Sequence, residues 1–225
     1  MSNQLHNEIK KEFQLERLIL FSDAVFAIAI TLLVIEIKVP ELHGPEVSEK
    51  ALLHGVALLI PKFIGFIISF MLIGIYWVVH HRLFGFVTNY TRKLIVLNLF
   101  FLFTVVLMPF STGIFGEYSR PSTIHLITPL AIYVGNICLT GIANYWLWSY
   151  VGNPANKVAE SFPDEHFVPN AKRRALIVPA VFLLSLLVAF WNPYAARYTP
   201  MLIPVFMRLT NKKRKPVIAQ PALPK

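Results

Sequence analysis

Two polar side chains interrupt a long apolar run near the start of this sequence. Ser22 and Asp23 lie within residues 18–35, which are otherwise almost continuously apolar. A run of about 20 apolar residues is what a helix needs to cross a bilayer core. A carboxylate inside such a helix costs roughly 3 kcal/mol or more near mid-bilayer, so it marks a functional group or a group with a polar partner on another helix. Asp23 is therefore the first candidate for chemistry in this chain.

A second set of polar side chains closes the second apolar run. Trp77, His80 and His81 lie within five residues at the end of this run. Asn98 interrupts the third apolar run. Adjacent histidines on a helix point about 100° apart, so these two are not expected to hold a metal ion between them. We expect this group to meet Asp23 in one interhelical layer, because unsatisfied polar groups in hydrocarbon are costly. The full predicted layer is Arg17, Ser22, Asp23, Trp77, His80, His81 and Asn98.

The motifs of the common enzyme classes are missing from the sequence. It contains no H-E-x-x-H, no G-x-S-x-G and no Walker glycine loop. Its single cysteine, Cys138, cannot form a disulfide within one chain. We therefore expect no enzymatic activity, no cofactor and no metal site. The net charge of +9 is carried between apolar segments and at the chain ends, which is typical of membrane topology, and no nucleic-acid partner is expected.

The elements that must position these residues are helices in a membrane. The chain is 56% hydrophobic and 15% charged, whereas ordinary soluble domains carry about 25% charge. We expect an all-α integral membrane protein with six transmembrane helices per chain, at about residues 18–35, 59–79, 94–115, 124–148, 174–191 and 194–209. The sixth segment is short and carries Arg197, Pro200 and Pro204, and the C-terminus changes sides if this segment does not cross.

The distribution of basic residues predicts the orientation. With six crossings, all but five of the 21 lysines and arginines lie on the side of the two termini, the exceptions being Lys38, Lys50, Lys62, Arg120 and Arg197. Because cytoplasmic loops are enriched in these residues, both termini are predicted to be cytoplasmic, in a multi-pass protein of the cell membrane. The predicted division is a cytoplasmic N-terminal segment at 1–14, a six-helix transmembrane domain at 15–209, and a basic cytoplasmic tail at 210–225.

The first predicted helix has one smooth apolar face. At about 100° per residue, Ile28, Leu32 and Ile35 fall in a narrow sector with Thr31 beside them, and Asp23 points roughly 140° away. Periodicity alone leaves open whether this face contacts lipid, packs against other helices or borders a conduit, since packing in membranes does not require a conduit.

The start of the first helix resembles a known family. Arg17, followed after three residues by Phe21, Ser22 and Asp23, is similar to the R-x-x-x-F-S-D signature of the transmembrane protein 175 family of potassium channels. The six-span layout, the Trp77 to His81 end of the second span and the basic start of the third span fit the same family. The signature occurs once here, as in bacterial members with one repeat, so four copies would be needed to surround a pore.

This resemblance implies a function and assigns residues to it. It implies a homotetramer with a central pore lined by the first helix, in which Ile28, Leu32 and Ile35 form the constriction and Thr31 is the neighbouring hydroxyl linked to ion preference. No TVGYG carbonyl filter is present, so a narrow apolar neck would have to supply a moderate preference for potassium. The implied function is a potassium-permeable leak channel, with potassium ions, membrane lipids and further copies of the chain as its partners.

Two other classes remain open at this point. A secondary transporter would use Asp23 as a cation or proton site and would normally show inverted repeats, but no second copy of the first-helix pattern is visible. A structural or accessory membrane protein would conduct nothing. Ion flux separates the three, because no alternating-access carrier reaches the rate of an open channel.

Overall fold

The computed structural model describes residues 2–40 and 48–209, with side chains described for 12–40 and 48–208. The described chain is built from α-helices: α1 Ser2–Ile35, α2 Glu49–Ala57, α3 Ile60–Phe84, α4 Arg92–Val106, α5 Met108–Glu117, α6 Ile127–Val151, α7 Phe167–Ala189, α8 Pro193–Tyr198 and α9 Ile203–Leu209. Short 3-10 turns at Pro154–Asn156 and Thr199–Leu202 join some of them. The predicted all-α class agrees with this architecture.

Four stretches of the described chain are long and apolar enough to cross a membrane, namely Glu12–Ile35, Glu49–Phe84, Arg92–Glu117 and Ile127–Val151. They correspond to the first four predicted spans. The third stretch is made of α4 and α5, which meet at Leu107 because Pro109 lacks a backbone N–H and begins a new helix. Thr91 caps the start of α4 by accepting a hydrogen bond from the Leu94 backbone N–H.

The predicted fifth and sixth spans have a different form from the first four. α7 begins at Phe167, before the predicted start of the fifth span at residue 174, and its basic residues 172–174 leave an apolar part that begins only at Ala175. The last segment is interrupted by Pro200 and Pro204 and consists of α8, a 3-10 turn and α9. It packs back against α7, where Ser185 Oγ donates to the carbonyl oxygen of Ala196 at 2.7 Å. Six crossings therefore remain a prediction, and the predicted tail at 210–225 lies outside the described residues.

α6 carries more buried residues than any other described helix and forms the centre of the chain. It contacts α4, α5 and α7, and the rings of Tyr133 and Trp148 are almost completely buried. Gly141 and Gly152 permit its close approach to α7, because a Cβ at Gly141 would overlap Cγ of Pro179 and a Cβ at Gly152 would overlap Val168. The α6–α7 hairpin is thus held by close packing at two levels.

α1 packs against α3, α4 and α5 along one side. That side consists of Ser22, Phe26, Ala29 and Leu33, all buried and all falling within one narrow sector of the helix. The other side of α1 carries no described neighbour over most of its apolar length, and its large side chains are exposed. The fold therefore presents α1 at the edge of the chain.

Candidate functional site

A chain of hydrogen bonds fixes α1 at the level of Ser22. The hydroxyl of Ser22 donates to the carbonyl oxygen of Leu18 at 2.8 Å and accepts from Nδ2 of Asn98 at 2.9 Å. The other end of the same amide, Oδ1 of Asn98, lies 2.8 Å from Nε2 of His80. Because an amide oxygen accepts and cannot donate, Nε2 of His80 carries the hydrogen and donates it. Three helices, α1, α3 and α4, are thereby joined through fully satisfied buried groups.

Asp23 extends this layer toward the surface of the chain. Its Oδ1 accepts a hydrogen bond from Nε1 of Trp77 at 2.9 Å. His81 lies one turn further along α3 and packs its ring beside Trp77, with centroids 5.6 Å apart. The sequence predicted that Trp77, His80, His81 and Asn98 meet Asp23 in one layer. In the structure, Asp23 accepts from the Trp77 indole, whereas His80 donates to Asn98. The reason is helix rotation: His80 faces the interior of the chain and Trp77 faces its edge.

An aromatic enclosure around His80 was not anticipated from the sequence. The imidazole stacks on Phe84 at 4.3 Å between centroids, lies parallel to Phe101 at 5.7 Å and contacts Phe26 at 5.5 Å. The sequence spacing could have indicated two of these rings. Phe84 follows His80 by four residues and Phe26 follows Ser22 by four, so each pair shares one helix face. The rings exclude water from the hydrogen bond between His80 and Asn98.

The remaining two residues of the signature take no part in this layer. Arg17 is exposed, with its guanidinium carbon 5.9 Å from the ring centroid of Phe13. Phe21 is 51% exposed. The structure therefore divides the signature into an inner pair, Ser22 and Asp23, which is bonded to α3 and α4, and an outer pair, which faces away from the chain.

The predicted constriction residues also face away from the chain. Ile28, Leu32 and Ile35 are 58%, 39% and 66% exposed, and Thr31 beside them is exposed too. The hydroxyl of Thr31 donates to the carbonyl oxygen of Ile28 at 2.8 Å, which leaves its lone pairs directed outward. The centre of this face lies roughly 120° around the helix from the buried side, given 100° per residue. The three apolar residues thus form an unpacked stripe on a helix that is anchored elsewhere.

Charged side chains gather at the opposite end of α1. Glu36 follows the last helical residue and lies over Gly113 of α5, where a Cβ would collide with its carboxylate. Glu117 forms ion pairs with Lys62 of α3 and with Arg120, the latter at 2.9 Å. Lys62 lies near the start of α3, on the side that the charge distribution assigns opposite the termini, and its ammonium pairs with Glu117 there. This end marks the other boundary of the predicted membrane segment.

A second buried polar group lies between the two ends and was missed in the sequence. The hydroxyl of Ser69 lies 2.8 Å from that of Tyr133 and accepts a hydrogen bond from Thr112 at 2.7 Å, which joins α3, α5 and α6. The Asn136 amide on α6 lies 3.1 Å from Oγ of Ser111 on α5. Within residues 2–40 and 48–209, no group of three or more His, Cys, Asp or Glu side chains is arranged to hold a metal ion.

Comparison with known proteins identifies this arrangement. Residues 17–109, which begin at the arginine of the signature, match the family model described as endosomal/lysosomal potassium channel TMEM175. A protein named as a potassium channel from Chamaesiphon minutus is 31% identical over 188 residues, which are 81% of this chain and 88% of that protein. Another, from Streptomyces collinus, is 44% identical over 100 residues, and the match spans less than half of each chain, 44% here and 47% there.

A solved structure shows the same fold. The crystal structure of a lysosomal potassium-selective channel TMEM175 homolog from Chamaesiphon minutus superposes with a TM-score of 0.71 at 27% identity, over 88% of this chain and 99% of that one. The family model matches the segment that contains the whole polar layer, from Ser22 through Asn98. By this likeness along most of its length, the chain belongs to the TMEM175 family.

Proposed function

We propose that this chain is the subunit of a potassium-permeable channel, with α1 lining the pore. The observation that carries the proposal is the orientation of α1: one side is bonded and packed into its own chain, while Ile28, Leu32 and Ile35 point out of it. A pore-lining helix requires this combination, since its conducting face must be free while its position is fixed. The relatives are named as potassium channels, which favours the same function.

The proposed assembly contains four copies around one axis. The signature occurs once per chain, so a closed ring must be built from several subunits. In such a ring the outer pair of the signature, Arg17 and Phe21, is available to a neighbouring copy. The membrane domain at 15–209 would hold six crossings, with both termini and the basic tail at 210–225 on the cytoplasmic side.

Selectivity in this proposal comes from an apolar neck. Three rings of four side chains, formed by Ile28, Leu32 and Ile35, offer an ion no replacement for its hydration shell, so the ion passes by shedding much of its water. Potassium holds its water less tightly than sodium, so its free-energy cost of partial dehydration is smaller. The neck therefore favours potassium moderately over sodium. The hydroxyls of Thr31 lie next to the neck and are the nearest groups on that face able to contact the ion. The pore would close by dewetting if this apolar neck narrowed.

The alternative is a secondary transporter with Asp23 as its cation or proton site. In that case the carboxylate would have to exchange its partners during every cycle, whereas here it accepts a hydrogen bond from Trp77. A structural role for Asp23 and a conducting role for the apolar face fit the contacts better, and no observation in the structure favours the transporter.

Ion flux into liposomes tests the channel directly. Liposomes that contain the purified protein should pass potassium down its gradient faster than they pass sodium. Ile28→Asn should raise the flux by about tenfold or more and erode the preference for potassium, because each 1.4 kcal/mol removed from a barrier multiplies the rate tenfold. The matched control is Val34→Asn, since Val34 is 53% exposed on another side of the same helix and Ile28 is 58% exposed.

The outcomes are distinct. If neither the parent protein nor Ile28→Asn conducts potassium, the channel proposal fails. If Val34→Asn raises flux as strongly as Ile28→Asn, conduction exists but the assigned face is wrong. Saturation at a carrier-like turnover would instead support the transporter.

A further inference from the structure

A cavity of about 660 Å³ opens between the end of α6 and the start of α7. Its lining includes Lys172, Arg173 and Leu176 of α7, called here the helix wall, and Asp164 and Glu165 of the preceding loop, called here the loop wall. Tyr145 on α6 also lines the cavity. This cavity takes no part in the polar layer around Ser22, so the channel proposal leaves it without a role.

The helices cannot close this cavity by moving together. α6 and α7 are already in close contact at two points, where the side chain of Val168 packs on Gly152 at the cavity itself and the side chain of Pro179 packs on Gly141. Tyr145 lies between the two glycines along α6, and Lys172 lies between Val168 and Pro179 along α7. The opening is therefore a fixed feature of the hairpin, whose shape is set by these two contacts.

The two walls carry opposite charges. On the helix wall the ammonium of Lys172 sits 4.9 Å from the ring centroid of Tyr145, and Arg173 is exposed beside it. On the loop wall Oδ1 of Asp164 accepts the backbone N–H of His166 at 2.9 Å, which holds the carboxylate in place, and Glu165 is exposed next to it. A ligand that matches both walls carries an anionic group and a cationic group in one head.

The cavity lies at the level expected for lipid head groups. Cations stack on aromatic rings at this end of the chain, with Lys93 5.3 Å from the ring of Tyr150 and Arg82 4.7 Å from the ring of Phe167. Aromatic and basic side chains concentrate where a membrane meets water. The α6 end is also joined to the α4 start by the Thr91 and Tyr150 hydroxyls, 2.8 Å apart. The cavity thus opens at the boundary of the apolar segments.

An apolar track leads from the cavity into the apolar part of α7. Leu176, Leu183 and Leu187 are 42%, 48% and 55% exposed and fall on the same side of α7 as Lys172 at 100° per residue. One face of this helix therefore changes from charged to apolar along its length. That order, with charge at the interface and leucine below it, matches the polarity of a phospholipid.

We propose that this cavity binds a phospholipid whose head group carries a phosphate and a primary ammonium group, as in phosphatidylethanolamine. Lys172 and Arg173 bind the phosphate, Asp164 and Glu165 accept hydrogen bonds from the ammonium, and an acyl chain lies along the leucine track. The proposal needs the membrane location of the chain and is independent of what the pore conducts.

Lipid retention measured by native mass spectrometry tests this site. The full-length protein is stripped of lipid in detergent and then exposed to mixed micelles holding equal amounts of phosphatidylethanolamine, phosphatidylglycerol and phosphatidylcholine. The parent protein should retain the ethanolamine lipid preferentially. Lys172→Glu should reduce that retention by about tenfold, the size expected for losing one hydrogen bond between charged groups. Asp164→Asn should reduce the preference over phosphatidylglycerol and leave total lipid binding largely intact.

Arg92→Glu is the matched control, because Arg92 is an exposed basic residue at the same end of the chain and does not line the cavity. Thermal unfolding of each variant verifies that it is folded. Equal retention of the three lipids by the parent protein, full retention by folded Lys172→Glu, or an equal loss in Arg92→Glu would each overturn the proposal. Potassium flux is recorded in parallel, so failure of this site and failure of the channel proposal are separate results.

Discussion

α1 and the α6–α7 hairpin are held in the chain by different means. α1 is tied at one level by the hydrogen bonds of Ser22 and packs only its narrow buried side, which leaves most of its apolar surface free. The hairpin is held by shape, through Gly141 and Gly152, where only a residue without a side chain fits. The hairpin is thus a rigid support, and α1 is a helix whose rotation is fixed while one face stays available.

This difference has an energetic basis. Close packing depends on every contact along a seam, so one added methyl group is felt at once. A hydrogen-bonded layer depends on its members as a unit, because removing one leaves the others buried without partners. The two regions should therefore fail differently under substitution: the hairpin through overlap of atoms, and α1 through loss of polar partners.

The largest effect is expected in the hairpin. Gly141→Ala places a Cβ into Pro179 and 2.9 Å from the carbonyl oxygen of Ala175, a backbone atom that cannot turn aside. We expect a loss of about 2–3 kcal/mol in stability, the upper part of the range for overpacking, with a lower yield of monodisperse protein. Gly135→Ala is the matched control on the same helix, because its Cβ would meet no described atom within 4 Å. Thermal unfolding in detergent compares the two, and equal midpoints would refute close packing as the basis of the seam.

An intermediate effect is expected for the polar layer. Asn98→Ala removes the amide that joins Ser22 to His80 and leaves both buried without this partner. An unsatisfied buried group costs about 1–3 kcal/mol, so a loss of about 2 kcal/mol is expected, together with altered flux if α1 turns. Asn170→Ala, at an exposed position on α7, serves as the control. A stability unchanged by Asn98→Ala would show that the layer does not hold α1.

The smallest effect is expected at the edge of the same layer. Trp77→Phe keeps an aromatic ring but removes the N–H that donates to Oδ1 of Asp23. Since Trp77 is 40% exposed, the loss should be about 1 kcal/mol or less. Trp146→Phe provides the comparison, because Trp146 is 48% exposed and packs by its ring against Phe100. If the two substitutions cost the same, the hydrogen bond to Asp23 contributes no more than ring packing does.

Much of the site could be predicted because its signals are local. The apolar run at 18–35, the signature from Arg17 to Asp23 and the shared sector of Ile28, Leu32 and Ile35 are all visible within one helix. That Ser22, Asp23, Trp77, His80 and Asn98 meet in one layer was expected, since buried polar groups must find partners, but Arg17 was wrongly included in that layer. Which partner each group takes was not foreseen, and Asp23 bonds Trp77 because α3 is rotated to place His80 inward.

Other features had little or no local signal. The aromatic enclosure of His80 is completed by Phe101 from a third helix, and the Ser69, Thr112 and Tyr133 group joins residues far apart in the chain. The beginning of α7 at Phe167 was hidden in a polar, proline-containing stretch that reads as a loop. The exposure of the Ile28, Leu32 and Ile35 face likewise depends on the positions of α3, α4 and α5, which pack against another side of α1.

The sequence by itself determined that this is a membrane protein with apolar helices and a family signature, because hydropathy and helical period act over neighbouring residues. The tertiary structure alone decided which polar groups pair, which side of α1 stays free and where α6 and α7 leave a cavity. These depend on the rotation and height of one helix against another, and those two quantities are set by packing among residues that are distant in the chain.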